Sequence, residues 1–470
     1  MTFNKLGRLS VMAACVGVAA GLAAQNAPAA PVQGYPSPVL ATEPIELQVT
    51  PDEHPLSGGQ VLGIGTWGAR HSYVVPSIRV AETLDNNPSL LDPGNGAYRG
   101  FTDFGSSLQW RQYIGRDMEF RYSGAFRYDS KARVQGYDQF TNSHGVALSK
   151  IARIRNWTLL IDDEAAYSQG SDFGNVGMEG MGTIATLSGD LGNLSNAQLP
   201  LNSVRPDLLP DQSILTGRVG RISNIVLAEI DNHLSARDTV TLAASYGLLH
   251  FNSSLLTNLN QVSAVTGFNH KMSLRDTIAI EGAFTRFGYS SVSSFVSTEY
   301  VTALYSRQVS GKSSFEVGAG PQITQSHFGH PSRNNLNWQA RGVVRYRAGR
   351  VNLAATGTRG VTAGAGVVNG AIATTGQGSA ELAISRYNSM LLAAGISHNQ
   401  QLEVAQRYNT QFASIVLNRE FFRYTSVFLS YDFQHQTTNA RCTGPICNLT
   451  GSRNVFGIGV AWTHSPIGVQ

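Results

Sequence analysis

Charged side chains are scarce in this chain: Asp, Glu, Lys and Arg make up 14% of its 470 residues, which argues against an ordinary soluble globule. Long apolar runs are lacking too. Beyond residue 24 none approaches the ~20 residues that a bilayer-crossing helix requires, which excludes a helical membrane protein. No strong charge of either sign is present. The formal net charge is +4, or +2 without Lys5 and Arg8, and this is too weak to imply nucleic acid as a partner. Cysteine is nearly absent, at three residues. Cys442 and Cys447 enclose Thr-Gly-Pro-Ile, and in an oxidising compartment a local disulfide is expected, contributing about 2 kcal/mol on the chain-entropy model. The pair has no His or second Cys pair near it in sequence, so metal binding is not expected. Cys15 sits inside an apolar stretch, too soon after Arg8 for a lipidation site. Glycine, in contrast, is abundant at 49 residues; with Ser, Thr and Asn it can line a watery space without filling it.

What the chain has instead is alternation. Met118, Phe120, Tyr122, Phe126 and Tyr128 alternate with Glu119, Arg121, Ser123, Arg127 and Asp129. Trp338, Ala340, Val344 and Tyr346 alternate with Gln339, Arg341, Arg345 and Arg347; Phe456, Ile458, Val460 and Trp462 alternate with Val455, Gly457, Gly459, Ala461 and Thr463. Successive side chains of a strand point to opposite faces, so each strand has an apolar face with aromatics and a face of small, amide and charged residues. Arginines turned toward lipid would cost about 2–4 kcal/mol each at mid-membrane, so the polar face belongs inside. The fold class is all-β, a transmembrane antiparallel β-barrel.

The organisation follows from the punctuation. Lys5 and Arg8, the apolar stretch Leu9 to Leu22, then Ala23 and Ala24 read as a signal peptide over 1–24. Residues 25–71 are Pro-rich, with seven of the 17 prolines falling between Gln25 and Ser57, and read as a largely disordered periplasmic segment. Strands are expected at 72–84, 101–113, 118–129, 142–154, 157–168, 216–234, 238–250, 260–274, 276–288, 293–309, 313–325, 334–348, 350–361, 370–387, 389–400, 406–421, 424–436 and 453–464, with a tail at 465–470. Short turns near Arg155-Asn156, Arg237-Asp238, Arg275-Asp276, Gly311-Lys312 and Gly349-Arg350 alternate with longer connections at 85–100, 169–215, 326–333 and 437–452. Periplasmic turns and external loops produce this asymmetry. Eighteen strands satisfy it with both ends periplasmic; sixteen is the alternative count.

Val455 to Trp462 resembles the aromatic-rich closing strand of bacterial outer-membrane, porin-like barrels, although the chain runs on to Gln470. The resemblance covers 72–464 and is one of pattern. It implies an outer-membrane location, contact with outer-membrane lipid, insertion by the barrel-assembly machinery and a homotrimer as one assembly to test. General porins fold the loop between their fifth and sixth strands into the barrel. Here that loop, 169–215, is either such a constriction or a cover over the mouth.

The lumen face is expected to carry Asp103, Gln109, Arg111, Glu119, Arg121, Arg127, Asp162, Glu164, Glu281, Gln339, Arg341, Arg345, Arg347, Glu381, Asp432 and Gln434. Most of these would pair with neighbours and tie strands together. Arg341, Arg345 and Arg347 on one strand are the exception, a local positive field that a sparse acidic complement leaves unbalanced. Enzyme motifs are weak. Gly63, Gly65 and Gly68 match GxGxxG without a strand–helix unit. Gly364, Gly366 and Gly370 lack the Lys-Ser/Thr of a phosphate loop. His327 and His330 read as an exposed pair, and Glu229, Asp231 and His233 share a face near a periplasmic turn. No cofactor and no catalysis are expected. The leading reading is a passive channel for small polar solutes with a mild anion preference. The alternatives are an export barrel for an extracellular acidic polysaccharide, and a closed structural or adhesive surface barrel.

Overall fold

The computed structural model describes residues 72–87, 98–112, 117–129, 139–169, 214–215, 219–254, 256–290, 294–328, 333–364, 366–422, 424–439, 450–464 and 467–469. The leader, the Pro-rich segment, Gly63-Ile64-Gly65 and Cys442 with Cys447 lie outside them. The strands are β1 (Ser72–Asp85), β2 (Arg99–Gln112), β3 (Asp117–Asp129), β4 (Phe140–Ile154), β5 (Trp157–Gln169), β6 (Gly220–His233), β7 (Asp238–Phe251), β8 (Leu259–Lys271), β9 (Asp276–Tyr289), β10 (Ser294–Ser310), β11 (Ser313–His327), β12 (Arg333–Ala348), β13 (Val351–Thr362), β14 (Ala371–Ala383), β15 (Asn388–Gln401), β16 (Arg407–Phe422), β17 (Thr425–Thr438), β18 (Gly451–Thr463) and β19 (Ile467–Val469).

Each strand from β1 to β18 pairs antiparallel with the next, and β1 pairs with β18 as well as β2. The barrel is therefore closed with eighteen strands, and the count of sixteen is excluded. Closure removes every sheet edge, as the hydrocarbon core demands of a spanning sheet. The eighteen expected strands all form, with ends displaced by a few residues. β19, inside the segment expected as a tail, pairs Ile467, Gly468 and Val469 with the start of β1.

The alternation sets which way each strand faces. On β18 the outward Phe456, Ile458, Val460 and Trp462 are exposed, while Val455, Gly457, Gly459 and Ala461 are buried. On β9 Ile278 and Ile280 face out and Glu281 faces in. A wall that exposes rows of Ile, Val, Leu and Phe has its solvent in lipid.

The short turns share a local device. Ser235 Oγ accepts hydrogen bonds from the backbone N–H of Arg237 and Asp238, both at 3.0 Å, and donates to Asp238 Oδ2 at 2.6 Å. Ser273 repeats this with Arg275 and Asp276. Ser310 and Ser385 accept backbone N–H groups two and three residues on in the same way. These serine-closed turns replace the backbone pairing that the chain gives up on reversing direction.

Candidate channel lumen

The inward positions are those that the alternation selects, and they are not uniformly wet. The inner face is partly open to solvent on β11–β14 and on the periplasmic halves of β3–β5. Along most of β7–β10 and β15–β18 it is buried. Since β3 and β12 are nine strands apart in an eighteen-strand ring, the two open surfaces face each other across the lumen.

On β12 the open surface carries Arg341, Arg345 and Arg347. Arg341 is not an unbalanced charge. Its Nε donates to Glu316 Oε1 at 3.1 Å, and its Nη1 lies 3.3 Å from Glu281 Oε2. Glu281 also accepts from Tyr300 Oη at 2.9 Å. Reaching β9 from β12 means crossing two strands, and Gly318 on β11 makes the floor low enough: a Cβ there would stand 2.2 Å from Leu304 Cδ2. Gln339 crosses the same floor to bond Thr302. The positive field expected of three arginines is thus reduced, because Glu316 and Glu281 take up Arg341.

Other expected lumen residues pair with their strand neighbours. Arg127 holds Asp103 by Nε and Nη2 at 2.7 and 3.2 Å and lies over the Phe101 ring. Glu119 accepts from Gln109 Nε2 at 3.1 Å and lies 3.5 Å from Arg121 Nε. Glu381 accepts from Asn352 Nδ2 at 3.0 Å. Asp432 is buried and accepts from Ser414 Oγ at 2.5 Å. Arg111 and Glu164 occupy the register positions opposite Glu119 and Ala147 respectively. The Glu229, Asp231, His233 row does share a face, but Asp231 accepts from Thr241 and His233 Nδ1 contacts Thr239 Oγ1. His327 stacks on Phe295.

Two features stand at the extracellular end; the first was not expected, and the second falls on the segment expected either to enter the barrel or to cover its mouth. The first is a hydrophobic core inside the barrel. Leu249, Phe251, Leu259, Phe287, Tyr289 and Val296, inward at the upper ends of β7–β10, pack against Leu256 and Ala363. Ala363 belongs to the β13–β14 loop, which folds inward. Its carbonyl accepts from Tyr289 Oη at 3.1 Å, and the Gly366 carbonyl accepts from Thr257 N at 2.9 Å. Gly366 has φ +73°, and a Cβ on it would lie 2.2 Å from Phe251 Cε2. Conformation and space both require glycine there.

The second feature is the end of the long β5–β6 segment. Ile214 and Leu215 are 0% and 1% exposed and pack with Val368, Ala371 and Tyr408. Leu215 N–H donates to Gln436 Oε1 at 2.8 Å, and Gln436 Nε2 donates to the Leu215 carbonyl at 3.0 Å. Tyr408 and Gln436 are inward on β16 and β17, so this part of the segment lies within the barrel.

Apolar outside, polar within and closed by eighteen antiparallel strands, the chain has the fold of a membrane-spanning β-barrel. No family model and no curated protein matches it. Among solved structures it is similar to Pseudomonas aeruginosa OccK2 (OpdF) in complex with glucuronate, at 9% identity over 85% of this chain and 98% of that one, TM-score 0.44. It is also similar to the P. aeruginosa outer-membrane protein OpdK, at 8% identity over 83% and 98%, TM-score 0.42, and to Acinetobacter baumannii OccAB3, at 9% over 84% and 99%, TM-score 0.41. These are likenesses of outline, and the account of this lumen rests on its own residues.

Proposed function

We propose that this barrel is a passive outer-membrane channel for small polar solutes with a mild preference for anions. The observation that carries the reading is the pair of solvent-accessible inner surfaces facing each other at β3–β5 and β11–β14. One presents Arg345 and Arg347 and the other Glu119, Arg121 and Asp162. A transverse field between them orients a dipolar or anionic solute and sieves by size, with no covalent chemistry. The apolar core at the extracellular end narrows the entrance.

That same core favours a second reading, a barrel whose pore is closed at rest. Liposome swelling separates the two. Vesicles holding the refolded protein are diluted into isotonic neutral sugars and the corresponding sugar acids. An open sieve swells them at rates that fall with solute size and are faster for the acids. Absence of swelling, with folding verified by heat-modifiable gel mobility, would contradict the open channel.

A further inference from the structure

Four successive short turns close the periplasmic end of the barrel between β6 and β13, and each carries a cation: Arg237, Arg275, Lys312 and Arg350. Their backbone bonds decide which way they face. Lys271 N–H donates to the Arg237 carbonyl at 2.8 Å and Gln308 N–H to that of Arg275 at 2.8 Å. Arg347 N–H donates to the Lys312 carbonyl at 2.7 Å and Ala383 N–H to that of Arg350 at 2.8 Å. Each bond carries the ladder one residue past the strand end, so its two residues lie opposite each other and share a face. Lys271, Gln308, Arg347 and Ala383 are inward by the alternation of their strands. The turn cations are therefore on the inner side too. The inner lip of this mouth holds Arg237, Lys271, Arg275, Lys312, Arg347 and Arg350, all six exposed.

The acids are placed elsewhere. Asp238 and Asp276 fall on the outer side, where Asp238 meets His270 Nδ1 at 2.7 Å and Asp276 accepts from Tyr305 Oη at 2.7 Å, 3.7 Å from Arg307 Nε. The nearest inward carboxylates on these strands have partners: Glu316 holds Arg341, Asp231 accepts from Thr241 and Glu381 from Asn352. Two like-charged pairs stand face to face, Arg237 with Lys271 and Lys312 with Arg347. Like charges directly opposite destabilise a sheet, and an anion between them relieves it.

We propose that this inner lip is a capture site for solutes carrying two or more negative charges. Within a pair, the Cα atoms of opposed residues stand about 5 Å apart, whereas neighbouring turns are two strands, or about 10 Å, apart. A singly charged solute meets one cation at a time. An anion with more charges engages both members of a pair and relieves their repulsion. At about 0.15 M ionic strength the field of each pair reaches only about 8 Å, so the charge number of the solute decides what is held. The site deepens the channel reading and rests on it for where the captured anion goes next. Capture itself needs only the folded rim.

The test reads the local potential from thiol reactivity in neutral detergent. The full chain carries Cys15→Ala, Cys442→Ser and Cys447→Ser with one thiol, at Ala236→Cys beside Arg237. The control thiol is Ser254→Cys, exposed in the β7–β8 loop at the other end. An anionic and a cationic methanethiosulfonate are compared, each rate normalised to that with 2-mercaptoethanol. At about 0.01 M ionic strength the anionic reagent is expected to be favoured about tenfold at Ala236→Cys, with near parity at Ser254→Cys. Arg237→Gln with Lys271→Gln should erase most of the difference while heat-modifiable mobility reports a folded barrel. Inorganic tripolyphosphate should protect the Ala236→Cys thiol where sodium chloride of equal ionic strength does not. Equal ratios at the two sites, a difference that survives the double substitution, or protection no better than matched chloride would overturn the proposal. Equal protection by added phosphatidylglycerol would assign the lip to lipid headgroups and overturn it too. Should the double variant not fold, the matched-salt comparison decides. A sealed bilayer would remove the channel reading and leave these rates standing.

Discussion

Both backbone groups of Leu215 are satisfied by one side chain, that of Gln436. Leu215 stands five residues before Gly220, where β6 begins, whereas Gln436 lies on β17, seven strands away by the shorter way round the barrel. Leu215 is therefore seated against a stretch of wall remote from the strand that it precedes in sequence. Thr410 Oγ1 also donates to Gln436 Oε1, at 2.9 Å, fixing the orientation of the amide. Gln436→Leu keeps the volume but leaves the Leu215 N–H and carbonyl buried without partners, a loss of about 1–3 kcal/mol. The expected outcome is a larger and noisier unitary conductance with the barrel intact by gel mobility.

Gly366 tests the other half of the same narrowing. Gly366→Val clashes with Phe251 and demands a φ that a β-branched residue avoids. The β13–β14 loop should leave its seat, exposing part of an apolar core in which each fully buried Leu or Phe contributes about 1.5–3 kcal/mol. Faster cleavage of residues 363–370 by externally added protease, together with a lower melting temperature, is expected.

Arg341 and Arg345 share a face but should behave differently on substitution. Arg341→Ala takes the cation from Glu281, which is 1% exposed and keeps its bond from Tyr300, and from Glu316. It should move the reversal potential toward cation selectivity and also destabilise the barrel, since removing one partner of a buried pair costs about 3–5 kcal/mol. Arg345→Ala should weaken anion preference with little loss of stability. Reversal potentials under a salt gradient and thermal melts, measured on both variants, check the distinction.

The seam of the barrel has its own lock. Arg453 on β18 donates to Asp85 Oδ2 on β1 through Nε and Nη2 at 2.9 and 2.7 Å, and Asp85 is 0% exposed. Arg453→Ala leaves that carboxylate buried without its cation, holding the Asn87 N–H at 3.0 Å, at a cost of about 3–5 kcal/mol. The heat-resistant folded band should be lost at a lower temperature. The double variant Arg453→Met, Asp85→Leu should recover much of the loss.

The fold was legible because a half-lipid, half-lumen wall forces a period of two on nearly every strand. Phe456, Ile458 and Val460 could face only one way. The inward positions of Glu119, Arg127, Glu281, Arg341 and Asp432 followed from the same period. Who pairs with whom did not, since Arg341 meets Glu281 only through the register of three strand pairs and the low floor at Gly318. The length of 169–215 marked it as a loop that either enters the barrel or covers it, but the seats of the infolded loops were not legible. Ile214-Leu215 carries no period, and its meaning is tertiary, set by Gln436 more than two hundred residues on. Gly364, Gly366 and Gly370 were visible as a cluster. The signal lay in glycines beside Val367 and Val368, apolar residues in a loop that would otherwise face water.

The most direct measurement is single-channel conductance of the refolded protein in a planar bilayer, with the reversal potential read under a salt gradient. The account predicts stable unitary steps with an anion-biased reversal potential that moves toward zero when Arg345 and Arg347 become Ala. A sealed bilayer despite a folded barrel, or a cation-biased potential that ignores those two substitutions, would contradict it.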